Sequence, residues 1–505
     1  MASVHLPNEL WCSAWEYLSI MECFAIAQVC RSWRRTACAW PRLWTQLSFD
    51  YYPKSNRIPY NRFGGFFPYG RQLETKPYET WLVITEVQLL DLFAERSAPM
   101  LLKFKIKVLR DCVGDEKDQA ERLVEFSQLL ARNASRLRSL VITTDSVILV
   151  QKILSSLPRC LPHLETLFIG DWDQRGDPID LDFDTPALKN LQLYGLVPSR
   201  DLFNLTTSSL RLLDGGVYDS QDALRLLACA GTVQELQVEV HSNFHPTDAE
   251  TQMIRQRLPP RLDTLQLRCH FNTDMTHGYA LSNFYTAAIR DCSLFLYSLD
   301  DDDHQGFLAD VTQPSDIWCL LWGKSEEAYM VRGNERTRTI HIPKFDSQWR
   351  NPFLRNLWAQ LAPCAVNTVV KLAVHSQLVH KVMRHIPCEN AIQELRFYFE
   401  PGHQSEFGLF ELDLQRIAED EDYNVSLPKL QVLVLCIDRS DPERERPTIL
   451  WKKPSKIAVK LSKALGLDGE RPLQRLEFRE LRFREVDPAA TSCPWQSLAQ
   501  EVVYT

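Results

Sequence analysis

Apolar residues recur along this chain in short runs that follow the pattern Leu-x-x-Leu-x-Leu or a close variant. Alternation within a run is typical of a β-strand with one buried face. Between the runs, apolar residues lie three and four apart, as in residues 120–131 and 222–230, which predicts helices. The runs begin at Leu137, Leu164, Leu188, Val233, Leu262, Ile392, Leu430 and Leu473.

The spacing of these runs resembles that of leucine-rich repeats. The central residues of six successive units are Leu140, Leu167, Leu191, Leu213, Leu236 and Leu265. Their steps of 22 to 29 residues lie in the leucine-rich-repeat range. The resemblance implies an α/β fold over residues 98–505, a curved leucine-rich-repeat-like solenoid with a parallel inner sheet. Several unrelated α/β units are the alternative, mainly for residues 270–370, where the period is hardest to follow.

A predicted binding surface follows from the same alternation. The leucines face the core, so the residues between them project from the other side of the sheet. Solenoids present such rows to protein partners, and Tyr and Arg are frequent hot-spot residues. The alternative is a merely solvated sheet face. The row also holds Asn190, Glu235, Gln266, Arg475 and Glu477, and its predicted target-binding members are Phe168, Gln192, Tyr194, Gln237, Arg268, Arg396 and Tyr398.

The first 44 residues hold five of the 13 tryptophans and predict three helices. Pro7 suits the start of a helix. Ser19 and Glu22 form a capping-box pattern at the start of the second helix, which should reach residue 29. The third helix carries Trp33 and ends near Trp40, because a residue before proline is disfavoured in the α region. So short a segment buries little apolar surface alone, which favours a partner.

Residues 6 to 44 resemble an F-box. The positions that match that family in order are Leu6, Pro7, Glu9, Leu10, Leu18, Val29, Cys30, Trp33, Arg34, Leu43 and Trp44. The resemblance implies a three-helix domain that binds the Skp-family linker of cullin-RING ubiquitin ligases. It also implies which residues contact the linker or support those contacts, namely Leu6, Pro7, Leu10, Trp15, Leu18, Val29 and Trp33.

The predicted domains are an F-box at 1–47, a connector at 48–97 and the solenoid at 98–505. The connector combines aromatic residues with Pro and Gly, which suits an ordered irregular segment. The chain is 45% hydrophobic and 24% charged, as is ordinary for a globular protein. A net charge of −8 disfavours nucleic acid as a partner.

No chemistry-bearing motif emerges from the sequence. Phosphate-loop, Gly-x-Ser-x-Gly and His-Glu-x-x-His patterns are missing, so no catalytic residue, metal or cofactor is predicted. The run at residues 300–304 is interpreted as an acidic loop. The 14 scattered cysteines predict buried thiols of a reducing compartment. With neither a signal peptide nor an 18-residue apolar run, we expect a cytoplasmic or nuclear protein without membrane contact.

These features together predict a non-catalytic substrate-recognition adaptor of an SCF-type ubiquitin ligase. The F-box would bind the Skp-family linker and, through it, a cullin-RING core, while the solenoid would bind an unidentified protein target. Two alternatives stay open. A scaffold could bind the linker without directing ubiquitination, and an enzyme site could lie within the repeats.

Overall fold

The computed structural model describes part of the chain and divides it into two compact units, Met1–Tyr285 and Thr286–Thr505. The described residues are 7–18, 20–51, 87–108, 116–144, 146–171, 177–199, 209–241, 244–269, 280, 283–286, 288–296, 317–323, 326–332, 337–343, 369–375, 379, 383, 386, 390–399, 410, 414–415, 427–437, 448–449, 454–467, 472–479, 482–483 and 494–504.

Three short helices form the N-terminus of the first unit. They are α1 (Asn8–Trp15), α2 (Ile20–Val29) and α3 (Arg31–Cys38), and a 3₁₀ turn at Pro41–Trp44 follows. Pro7 stands directly before α1, as predicted. Trp40 has left the helical region before Pro41, with φ −112° and ψ 89°, so the predicted end of the third helix is confirmed to within two residues. The predicted cap residue Ser19 lies outside the described residues.

The first unit is built on a parallel sheet. Its strands are β1 (Gln46–Tyr51), β2 (Leu102–Val108), β3 (Leu137–Thr144), β4 (Thr166–Asp171), β5 (Asp177–Ile179), β6 (Asn190–Tyr194), β7 (Leu196–Pro198), β8 (Leu212–Val217), β9 (Glu235–Val240) and β10 (Thr264–Cys269). Each main strand pairs in parallel with the next one along the chain, in the order β1, β2, β3, β4, β6, β8, β9, β10. The short strands β5 and β7 pair with each other.

The register of this sheet aligns the predicted repeat centres. Consecutive centres are partners across each pair of neighbouring strands from β3 to β10. All six side chains are fully buried, and they are Leu140, Leu167, Leu191, Leu213, Leu236 and Leu265. The prediction that these runs form adjacent parallel strands with a common core face is therefore confirmed.

Helices in the connections between the strands cover the leucine face of the sheet. They are α4 (Val87–Arg96), α5 (Glu116–Arg132), α6 (Val147–Ser155), α7 (Ser220–Leu226) and α8 (Asp248–Arg257). Thr247 and Glu250 form a reciprocal capping box at the start of α8. On β8, Gly215 faces α7 so closely that an added Cβ would lie 2.7 Å from Leu226 Cδ1.

The predicted connector at 48–97 begins and ends in regular structure. Strand β1 starts at Gln46 and joins the sheet by pairing with β2, and α4 occupies residues 87–96. Local aromatic and turn content suggested an irregular segment, but the pairing of β1 depends on a strand more than 50 residues away. Residues 52–86 of the connector lie outside the described residues.

The second unit has a mixed sheet. Its strands are β11 (Asp291–Leu296), β12 (Ile317–Gly323), β13 (Glu326–Arg332), β14 (Thr337–Pro343), β15 (Val369–His375), β16 (Glu394–Phe399), β17 (Val432–Ile437), β18 (Thr448–Ile449), β19 (Leu473–Arg479), β20 (Arg482–Phe483) and β21 (Ala499–Tyr504), with helix α9 at Pro454–Ala464. The order in the main sheet is β11, β14, β13, β12, β15, β16, β17, β19, β21.

Antiparallel pairing within residues 317–343 corrects the prediction of a wholly parallel sheet. Strand β13 pairs in antiparallel fashion with both β12 and β14. The connections between these strands are a few residues long, and a parallel crossover needs a dozen or more. This segment lies in the region where the repeat period was hardest to follow. The other pairs of the main sheet are parallel.

Eight cysteines of the described residues are free thiols that differ in burial, and Cys38 is half-buried. Burial is complete or nearly so for Cys12, Cys23, Cys269, Cys292 and Cys436. Burial raises the pKa of Cys269 and of Cys292 to about 12. Cys30 and Cys160 are exposed, which corrects the prediction of uniformly buried thiols. Within the described ranges, no helix combines the length and apolar character needed to cross a membrane.

Candidate functional site

Three tryptophans hold the N-terminal helices together. Trp11 and Trp15 come from α1 and Trp33 from α3, and their ring centroids lie 5.3 to 6.1 Å apart. Trp15 is buried, and its backbone carbonyl accepts a hydrogen bond from Cys23 Sγ of α2 at 3.5 Å. Aromatic contacts of this kind add to the burial of apolar area. The cluster therefore fixes α1 against the other two helices.

The start of α3 is fixed by two local hydrogen bonds. Cys30 caps the helix, because its sulfur accepts a hydrogen bond from the backbone N–H of Trp33. Arg34 Nε donates to the carbonyl oxygen of Ala27 at 2.9 Å. That bond satisfies a carbonyl in the last turn of α2 that has no helical partner. The Val-Cys-x-x-Trp-Arg pattern thus forms the joint between α2 and α3.

Trp44 connects the three-helix segment to the rest of the first unit. Its side chain is fully buried, and its Nε1 donates to the carbonyl oxygen of Ala37 at 2.9 Å. Its ring stacks on Phe93 of α4 at 5.2 Å, and the guanidinium of Arg96 lies 5.2 Å from the ring centroid. Helix α4 lies in the predicted connector, so this contact was not predicted. The alternation Leu90, Phe93, Ala94 at helical spacing was the available signal.

Apolar side chains on this segment are left exposed to solvent. Leu10 on α1 is 55% exposed and Val29 at the end of α2 is 65% exposed. Pro7 is also exposed. A small domain that shows several apolar side chains at its surface is typical of a protein interaction site.

The predicted linker-binding residues differ in their exposure to solvent. Pro7, Leu10 and Val29 are exposed, whereas Trp15 is buried and supports the surface from within. Leu18 and Trp33 are half-buried. The seventh predicted residue, Leu6, lies outside the described residues.

Comparison with known families assigns this segment. Residues 4–44 match the F-box domain. F-box domains typically bind Skp-family linkers, and F-box proteins are in general non-catalytic adaptors of SCF-type ubiquitin ligases. No curated protein matches the chain. The match supports an F-box protein, and it covers about a tenth of the chain.

The predicted target-binding residues of the first unit fall into two groups on the polar face of the sheet. Phe168 and Gln192 are register partners on β4 and β6 and are half-buried, as is Tyr194. Gln237 and Arg268, on β9 and β10, are buried, and Arg268 Nη2 lies 3.4 Å from Gln237 Oε1. The residues at β4 and β6 are therefore the more accessible ones.

The second group, Gln237 and Arg268, lies among buried charged side chains. Asp214, Glu239 and Arg268 are all buried on the face opposite the leucines. Burial raises the pKa of Tyr194 above its usual range, and the nearby carboxylates of Glu239 and Asp214 raise it further, while Arg268 opposes them. Beside them the ring of His241 stacks on Tyr218 at 3.7 Å. Glu239, Asp214 and Arg268 thus all lie close enough to Tyr194 to affect its pKa, which sequence alternation alone does not reveal.

In the second unit, the predicted residues Arg396 and Tyr398 belong to a charged network across the sheet. Glu394 forms ion pairs with Arg396 on its own strand and, at 3.9 Å, with Lys371 of β15. Burial raises the pKa of Tyr398, and a hydrogen bond with Arg396 opposes that shift. A second set of charges lies on β19, separated from Arg396 by the buried Val434 of β17, which is in register with both Arg396 and Glu477.

On β19, Glu477 lies between two arginines. It accepts hydrogen bonds from Arg479 at 2.8 and 3.3 Å, and its Oε2 lies 3.6 Å from Arg475 Nη2. The hydrogen bond with Glu477 raises the pKa of the Arg479 guanidinium above its usual value. Across the part of the chain that the structure describes, no three His, Cys, Asp or Glu side chains cluster as a metal site would require. The acidic run at 300–304 is not among the described residues.

Proposed function

We propose that this chain is the substrate-recognition adaptor of an SCF-type E3 ubiquitin ligase. The observation that carries the proposal is the F-box at residues 4–44 with Leu10 and Val29 exposed on its surface. In the proposal, these side chains contact the Skp-family linker together with Leu6, Pro7 and Leu18. Trp15 and Trp33 hold the helices that carry the contacts.

The rest of the chain is proposed to bind a protein target. We infer that residues 98–505 are a leucine-rich-repeat-like solenoid with an interrupted period, and the in-register leucines of the first unit support this. The adaptor would act by proximity. It would raise the effective concentration of target lysines near the ubiquitin-loaded enzyme, and the chemistry would occur on other subunits.

Matched variants test the linker contact. Leu10→Ser combined with Val29→Ser should weaken binding of the full chain to a Skp-family linker by about a hundredfold, the scale of a lost hot spot. The control is Leu92→Ser combined with Val124→Ser, which replaces exposed residues of the same types outside the F-box. Titration calorimetry measures both. Equal affinities for the two double variants would contradict the proposal.

Assembly with a cullin separates an adaptor from a scaffold. The purified complex of the full chain with its linker should bind a cullin-RING core, and the Leu10→Ser, Val29→Ser variant should lose the cullin together with the linker. A complex that keeps the linker but excludes the cullin would favour the scaffold instead.

A further inference from the structure

The core of the F-box is completed by a helix that lies outside it. The F-box match ends at residue 44, and Phe93 of α4 is fully buried against it. The Phe93 ring stacks on that of Trp44, with centroids 5.2 Å apart and planes at 15°. It also meets the ring of Phe24 on α2 edge to face at 6.0 Å. One side chain of α4 therefore joins the second helix of the F-box to the 3₁₀ turn that ends it.

Helix α2 carries one of the proposed linker contacts. Val29, at its C-terminal end, is 65% exposed. Phe24 is half-buried and lies roughly one and a half turns earlier on the same helix. Removal of a buried aromatic ring leaves a cavity that its neighbours fill only partly. The position of α2 relative to the 3₁₀ turn therefore depends on Phe93.

Helix α4 is in turn fixed to the repeat sheet by one arginine. Arg136, directly before β3, donates to the carbonyl oxygen of Ala94 at 3.0 Å and to Ser97 Oγ at 2.7 Å. It also donates twice to the carbonyl oxygen of Met100, at 3.0 and 2.8 Å. These acceptors include a carbonyl in the last turn of α4, which has no helical partner. Helix α4 thus belongs to the sheet through Arg136 and to the F-box through Phe93.

We infer that Phe93 is a positioning residue for linker binding, because it holds α2 in the orientation in which Val29 meets the Skp-family linker. The inference rests on the proposed function, in which the F-box binds that linker. Since Phe93 is fully buried, it acts through α2 and not by touching the linker. A chain without this ring keeps every proposed contact residue but populates the binding arrangement less. Its apparent affinity falls by the fraction that remains competent.

The kinetics of linker binding by the full chain test the inference. Phe93→Ala should lower the apparent association rate constant by roughly tenfold, as expected if about one molecule in ten holds the binding arrangement. The dissociation rate constant should change by less than about twofold, because the contacts in the complex are the same. Leu10→Ser combined with Val29→Ser should instead speed dissociation, since that variant loses contacts within the complex. Surface plasmon resonance on immobilised linker measures both constants.

Phe126→Ala is the matched control. Phe126 of α5 is also fully buried and meets Phe104 of β2 edge to face at 6.3 Å. This variant removes the same side chain from the helix layer of the first unit, at a site where the aromatic partner belongs to the sheet. It should leave the association rate constant unchanged even where it lowers stability. Phe93→Leu keeps most of the apolar volume and should recover most of the association rate constant.

Hydrogen exchange of the unaltered chain tests the same coupling without any substitution. Linker binding should protect the backbone amides of α4 (Val87–Arg96) together with those of α2, because binding and the arrangement that α4 supports favour each other reciprocally. The amides of α5 (Glu116–Arg132) should exchange as they do in the free chain. This measurement applies even if Phe93→Ala does not fold.

Several results would overturn the inference. An unchanged association rate constant for Phe93→Ala would do so, as would a loss confined to faster dissociation or an equal loss for Phe126→Ala. Protection of the F-box helices without α4 would also contradict it. A chain that binds the linker but shows any of these results refutes this inference alone. An unaltered chain that fails to bind the linker refutes the proposed function.

Discussion

The sheets of the two units have similar cores but different polar faces. Leucines in register are fully buried in both, as Leu191 shows in the first unit and Leu395 in the second. On the polar face of the first unit, Asp214, Glu239 and the nearby Arg268 are all buried. In the second unit, Glu477 is also buried, but the two arginines that pair with it, Arg475 and Arg479, are each 41% exposed. The repeat pattern therefore specifies the core face, whereas the polar face depends on which charges meet across neighbouring strands.

Truncation of a core leucine should have the largest effect and should test whether the cores are equivalent. Leu191→Ala and Leu395→Ala each remove a fully buried side chain between two neighbouring strands. Each should lower the free energy of unfolding by about 2–5 kcal/mol. Urea denaturation measures the loss, and hydrogen exchange of the peptides that contain each strand localises it, because a two-unit chain need not unfold in one step.

The exposed Leu92 supplies the control for both truncations. Leu92→Ala on α4 should change stability far less, because that side chain is partly in water already. A loss at Leu395 no larger than that at Leu92 would contradict the equivalence of the two cores, since the second unit would then lack a core of the same kind.

Removing a carboxylate that lies between two cations should cost more where the carboxylate is buried. The side chain of Glu477 is 8% exposed beside Arg475 and Arg479, whereas that of Glu165 is 27% exposed beside Arg138 and Lys189. Glu477→Gln should cost about 1–2 kcal/mol, because its partners lose a desolvated counter-charge but are themselves partly exposed. Glu165→Gln should cost less than about 1 kcal/mol. Chemical denaturation of both variants gives the difference, and equal losses would contradict it.

Elements with a strong period could be predicted from the sequence, whereas those that depend on distant partners could not. The F-box helices and the aligned leucines could be predicted from local spacing. For the strands the register is well specified, because a shift by one residue would turn every leucine to the opposite face. The antiparallel strands at 317–343 carry no such pattern. The contact of Trp44 with Phe93 and the burial of Asp214 and Glu239 require knowledge of which strands and helices become neighbours. The residues on the polar face could therefore be predicted, but which of their side chains are exposed to solvent could not.

Helix packing on the leucine face is expected to tolerate less added volume than the exposed part of the 3₁₀ helix at Leu227–Thr232. At Gly215 an added Cβ would lie 2.7 Å from Leu226 Cδ1, whereas at Gly231 no atom lies within 4 Å of that position. Gly215→Ala should destabilise the first unit by about 1 kcal/mol, since the Leu226 methyl group must move within a packed core. Gly231→Ala should leave stability unchanged or raise it slightly through the unfolded chain. Thermal unfolding of both variants tests this, and a neutral Gly215→Ala would show that α7 packs loosely on the sheet.

The smallest expected effect is a pH dependence at Glu165, which pairs with Arg138 of β3 and with Lys189, the residue before β6. Burial acts to raise the pKa of this carboxyl group, but hydrogen bonds from Arg138 and Lys189 outweigh it, so the pKa is lowered overall. A lowered pKa in the folded state means that the ion pairs stabilise the fold above the unfolded pKa of about 4.3. That contribution is lost as the pH falls through the folded pKa. The stability difference between the unaltered chain and Glu165→Gln should thus be constant near neutral pH and shrink in acid. A difference that grows on acidification would mean that the carboxylate is destabilised in the folded state, and that the two cations do not pair with it as the structure places them.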